Sequence, residues 1–106
     1  MTEIFKKIIS REIPANIIYE DDRIIAFLDI NPVNIGHFLV VPKKYSVNLI
    51  DIEEEDFIYL ISKARELALQ QIKKMGVSGF KLHVNNGKES NQEVFHTHIH
   101  IIPSKK

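Results

Sequence analysis

The tract from Gln92 to Ile102 constrains this chain more than any other. It reads Gln-Glu-Val-Phe-His-Thr-His-Ile-His-Ile-Ile and puts histidines at 96, 98 and 100. The β-branched residues Thr97, Ile99, Ile101 and Ile102 favour a strand here. Side chains alternate faces along a strand. The spacing therefore sends His96, His98 and His100 to one side, and Phe95, Thr97, Ile99 and Ile101 to the other. The second set belongs in a core. The first set is then a row of imidazoles on a rigid element, suited to chemistry near neutral pH.

Spacing alone leaves three readings of that row open. Three imidazoles on one strand can supply metal ligands. One of them can act as a nucleophile, with its neighbours holding tautomer and charge. The row can also be nothing more than polar residues on a solvated face. Taken singly, His37 and Asp29 read as structural residues, and His83 as an exposed strand residue without a role.

The rest of the chain frames this tract. Thr2 to Ser10 predicts a short helix, capped by Thr2, with Ile4, Phe5, Ile8 and Ile9 on its apolar face. Ile17–Glu20 and Arg23–Asp29 predict two strands joined at Asp21-Asp22. A loop punctuated by Pro32 and Gly36 leads to a third strand, His37 to Val41. One long helix is expected from Asp51 to about Met75, with Asp51 and Glu54 resembling a capping box. Its apolar stripe runs through Phe57, Leu60, Ile61, Ala64, Leu67, Ala68, Ile72 and Met75, and Gly76 ends it. Phe80 to Asn85 predicts a fourth strand, with Lys81, His83 and Asn85 on one face. The order predicts a single α+β domain spanning 1–106: an antiparallel sheet of about five strands with one long and one short helix.

Composition removes several function classes. Lys+Arg and Asp+Glu both number 14, so no net charge draws the chain to nucleic acid or to an anionic membrane. The absence of cysteine excludes disulfides and thiolate zinc sites and points to a cytoplasmic setting. No apolar run is long enough to span a bilayer, and the first seven residues lack a secretory signal layout.

The tract His96-Thr97-His98-Ile99-His100-Ile101-Ile102 resembles the signature of the histidine triad superfamily, with Thr97 in a slot that is usually apolar. Gln92-x-Val94 precedes it, as in that superfamily. Upstream, Tyr19-Glu20-Asp21-Asp22, Ala26-Phe27-x-Asp29-Ile30-x-Pro32 and His37-Phe38-Leu39-Val40-x-Pro42-Lys43-Lys44 are similar to the Hint branch. The resemblance runs from about Thr2 to Ile102.

It implies a homodimeric hydrolase or transferase acting at the α-phosphate of a purine nucleotide. The foremost expectation is a nucleoside phosphoramidate hydrolase releasing AMP or GMP. A dinucleoside polyphosphate hydrolase and a nucleotide-binding adaptor with little turnover are the alternatives. His98 would be the nucleophile, supported by His96 and His37, with His100 and Asn85 contacting the phosphate region. Asp29 would hold the ribose hydroxyls, and Ile4, Phe5, Ile8, Phe27 and Ile30 would line the base pocket. Gln92 and Glu93 fall in the nucleotide-binding segment. Glu93 stands where the branch commonly has serine, and Asn91 where it often has glycine. The scheme requires no cofactor and no metal.

Overall fold

The computed structural model describes residues 3–106. The expected Thr2 cap lies outside them. The elements are α1 (Ile4–Ile9), β1 (Ile17–Glu20), β2 (Ile24–Leu28), β3 (Phe38–Pro42), α2 (Glu54–Met75), β4 (Phe80–His83) and β5 (Ile99–Pro103). The five strands form one sheet in the order β1-β2-β3-β5-β4, and every neighbouring pair is antiparallel. This is the α+β arrangement expected from the order of elements.

The two helices cover opposite faces of the sheet. On one face, Ile24, Ala26, Phe38, Val40, Ile99 and Ile101 pack against Leu60, Ala64, Leu67 and Ala68 of α2. On the other, Ile25, Phe27, Leu39 and Val41 pack against Phe5 and Ile8 of α1. The central strands β2 and β3 are therefore buried on both sides, which explains their unbroken apolar runs Ile24–Phe27 and Phe38–Val41. The helix α1 is only six residues long and leaves part of its face uncovered. The cavity described below opens there.

The β1–β2 turn needs no glycine. Asp21 Oδ1 accepts the backbone N–H groups of Arg23 and Ile24, and Asp21 Oδ2 accepts the hydroxyls of Tyr19 and Tyr59. Burial alone would raise the pKa of this carboxyl. The Tyr59 hydroxyl and the two backbone donors outweigh that and hold it well below the usual carboxylate range.

Several expected boundaries move: β4 stops at His83, short of Asn85, and β3 runs through Pro42. Asp51 does not cap α2: the helix starts at Glu54, with Glu53 at the cap position and no side-chain cap bond. Asp51 instead accepts the N–H groups of Val47 and Asn48, which closes the turn before the helix. The C-terminal end follows expectation, with Gly76 in the left-handed conformation at φ 72°.

The histidine tract also differs. Its strand begins at Ile99, so only His100 enters the ladder, while His96 and His98 lie just ahead of it. The preceding segment is bonded to a loop and not to a strand. Thr97 N–H donates to the carbonyl of Ser46 at 2.8 Å, and the Thr97 and Ser46 hydroxyls bond to each other. This contact accounts for a hydroxyl in the usually apolar slot at 97: Thr97 is buried and has a polar partner.

Candidate active site

A cavity of about 580 Å³ opens between α1 and the sheet, within the roughly 300–1,000 Å³ usual for small-molecule sites. His37, His98 and His100 line it, together with Asp29 and Asn85. Apolar walls come from Ile4, Phe5 and Ile8 of α1 and from Phe27 and Ile30, and Glu93 also lines the cavity. A larger hollow of about 790 Å³ lies between loop 32–35, the end of α2 and the C-terminal residues. None of the histidines borders it.

Two residues expected at the site stand behind it. His96 is fully buried, lies edge-on to Phe5 and Tyr45, and is not part of the cavity wall. Its Nε2–H donates to the carbonyl of Pro42 at 2.8 Å. Gln92 is also buried and does not line the cavity. Its amide donates to the carbonyls of Val47 and Val94, and its oxygen accepts from Asn48 Nδ2 and from the Gly87 N–H. Both residues hold the histidine tract in place and do not border the cavity. The physical reason is that the stretch before Ile99 is pinned to loop 45–48, which turns these two side chains into the protein.

The hydrogen bonds set the tautomers. Val33 N–H donates to Nδ1 of His37 at 3.1 Å, so in the neutral ring Nε2 carries the hydrogen. That Nε2–H donates to Nδ1 of His100 at 3.0 Å. His100 then keeps its own hydrogen on Nε2 and can donate it. In His98 the pattern reverses: Nδ1–H donates to the carbonyl of His96 at 2.8 Å. That leaves Nε2 of His98 as the nitrogen with a lone pair. One ring at the cavity is thus set to attack and the next to donate, with ring centroids 4.9 Å apart.

Burial disfavours the imidazolium form throughout the cluster. It pushes the pKa of His37, His96 and His98 below the ordinary imidazole value. Burial, and then the neighbouring charges of His98, His83 and His37, take His100 down to about 4. A neutral His98 is what nucleophilic attack needs.

Asp29, His37 and His100 offer ligand atoms that all lie within 4.8 Å of one another, the one such cluster among the described residues. The tautomers weigh against a cation there. Because Nδ1 of His37 accepts from Val33, Nε2 carries a hydrogen and not a free lone pair. Asp29 Oδ2 lies 3.5 Å from that Nε2, where it stabilises the hydrogen-bonded chain. Asp29 Oδ1 accepts the Asn31 N–H.

Three contributors escaped sequence reasoning. The Val33 N–H and the Pro42 carbonyl are backbone groups, invisible in side-chain patterns. The third is His83, read as exposed and idle. Its register opposite His100 carried the signal once β4 and β5 were paired.

A HIT domain model matches residues 10–106. The chain belongs to the histidine triad (HIT) family. It is similar to a 13.1 kDa HIT-like protein of Mesomycoplasma hyorhinis, 62% identical over 104 residues that cover 98% of this chain and 94% of that one. It is 40% identical to the Adenylylsulfatase HINT3 of Arabidopsis thaliana, over 97% of this chain and 52% of that protein. Among solved structures, a Hit-like protein from Bartonella henselae superposes with a TM-score of 0.93 at 42% identity, covering 97% of this chain and 80% of that one. A HIT family hydrolase from Clostridium thermocellum gives 0.85 at 35% identity, covering 97% and 90%. The HIT-like fold expected from the sequence is thus present.

Proposed function

We propose that this HIT protein is a nucleoside phosphoramidate hydrolase that works through a nucleotidyl-histidine intermediate. The observation that carries the reading is His98: Nδ1–H is tied to the carbonyl of His96, and the ring lines the cavity with Nε2 free to attack. Nε2 forms a bond to the α-phosphorus of the substrate as the phosphorus–nitrogen bond breaks. The leaving nitrogen takes up a proton from solvent and departs as the amine. Water then attacks the phosphorus and gives up a proton to solvent, the bond to Nε2 breaks, and the nucleoside monophosphate departs. His100 Nε2–H stabilises negative charge on the phosphate oxygens in both steps. No cofactor enters this exchange.

The remaining roles follow from placement. The α1 residues Ile4, Phe5 and Ile8, with Phe27 and Ile30, offer an apolar slot for a purine base. Asp29 offers a carboxylate to ribose hydroxyls, and Asn85 an amide near the phosphate. His37 orients His100, and His96 orients His98 through its carbonyl.

The Arabidopsis relative named as an adenylylsulfatase favours a second leaving group, sulfate, on the same phosphorus. A panel of adenosine phosphoramidate, adenylyl sulfate and a dinucleoside polyphosphate ranks the three.

The decisive experiment is AMP release from adenosine phosphoramidate by the parent and by His98→Ala, with mass spectrometry of the protein for a nucleotidylated histidine. The expected loss in the variant is roughly 10⁴-fold or more. Equal rates would reject His98 as nucleophile. Tight AMP binding without turnover or a trapped intermediate would point to an adaptor. We also infer a homodimer, because β4 is an edge strand of the sheet and Leu82 on it is exposed. Light scattering that gives a monomer mass would overturn it.

A further inference from the structure

His83 lies outside the cavity wall but against its machinery. It ends β4, and the β4–β5 register sets it directly opposite His100. Directly opposed residues of an antiparallel pair project to the same face. The two imidazoles stack, with centroids 4.5 Å apart and ring planes 21° from parallel. His100 is therefore held on two flanks: by the Nε2–H of His37 on the β3 side and by the ring of His83 on the β4 side. His83 is exposed, whereas His37, His96 and His98 are buried.

We propose that His83 is a positioning residue for His100, its stacked ring fixing the tilt at which His100 offers Nε2–H to the phosphate of a bound nucleotide. This rests on the reading of the site given above. The hydrogen bond from His37 restrains the His100 ring at one nitrogen only. Rotation about that contact would swing Nε2 away from the phosphate, and a flat ring packed on its face opposes the swing.

His83 acts through charge as well. Positive charge on its ring disfavours positive charge on His37, His98 and His100, which adds to the effect of burial. The titratable and charged groups around it are His98 and His100 on the β5 segment, His37 ahead of β3 and Asp29 after β2. On β4 itself, Lys81 lies two residues back on the same face. Asp29 works against His83 at each of the three histidines.

Two variants separate stacking from charge. His83→Phe keeps a flat ring and removes the charge, and His83→Ala removes both. With adenosine phosphoramidate as substrate, His83→Ala should lower kcat about threefold to tenfold with KM little changed, the range a lost ring pair supplies. His83→Phe should keep kcat while its acid limb moves to higher pH, because His98 and His100 then protonate more readily. A His83→Ala protein with the parent kcat overturns the inference. Nitrogen-15 NMR of the His100 ring provides a readout without turnover. Its titration should move to higher pH in both variants, and an unmoved titration also overturns the inference. Failure of the functional reading looks different: the parent itself releases no AMP, while the NMR comparison still reports on the His83–His100 pair.

Discussion

Nε2 of His37 lies 3.0 Å from Nδ1 of His100, although 63 residues separate them in the chain. The contact joins the loop after β2 to β5, the strand that His100 enters. Together with the Val33 N–H it forms a directed chain, backbone to His37 to His100, that ends with a hydrogen on Nε2 at the cavity.

Breaking that chain should cost turnover more than binding. His37→Phe keeps a ring of similar size and removes the donor to His100 Nδ1. The expected loss in kcat is about 10²-fold, the scale set by misplacing a reacting group. Nucleotide affinity, measured by titration calorimetry with AMP, should change far less. A variant with parent kcat would remove His37 from the catalytic scheme.

The histidine cluster also sets the response to acid. All four rings have folded pKa values below the unfolded value of about 6.5, with His100 at about 4. As pH falls below about 6.5 the unfolded chain therefore binds more protons than the folded one, and stability declines. The decline should continue until pH passes the folded values, the lowest being near 4. Tm measured across that window should fall for the parent and fall less steeply for His100→Gln. The acid limb of kcat/KM should lie below the ordinary imidazole pKa, because His98 stays neutral when buried.

Gly36 precedes His37 with φ at +86°, and a Cβ there would sit 2.6 Å from the sulfur of Met75. Gly36→Ala should destabilise by about 1–2 kcal/mol from backbone strain alone. Movement of the Met75 side chain does not relieve that part. The denaturation midpoint of the variant tests this, and an unchanged midpoint refutes the strain argument.

Gln92→Leu keeps the volume and strands four hydrogen-bond partners, the buried Asn48 amide and the partly buried backbone groups of Val47, Gly87 and Val94. Each unpaired buried group costs about 1–3 kcal/mol. Chemical denaturation should show a loss of several kcal/mol. A loss below about 1 kcal/mol would mean that water replaces the amide.

Much of this molecule was legible in its linear order. The long helix with its stripe at Leu60, Ala64, Leu67 and Ala68, the alternation of Ile99 and Ile101 with the histidines, and the turn at Asp21-Asp22 all follow from local spacing. The association of the triad with the upstream His37 and Asp29 comes from the family resemblance and not from spacing, by which both read as structural residues. What spacing leaves open is which partner a segment meets. Gln92 and His96 read as site residues because they share the tract, yet contacts to Val47 and Pro42 turn both inward. Asp51 reads as a cap because it precedes acidic helix residues, yet the nearest unpaired N–H groups belong to Val47 and Asn48. His83 reads as idle because its importance comes from a neighbour on another strand. Periodicity along one element decides which side chains share a face, since that is backbone geometry. The pairing of elements decides which donor meets which acceptor, and here it alone set the tautomers on which the proposed chemistry depends.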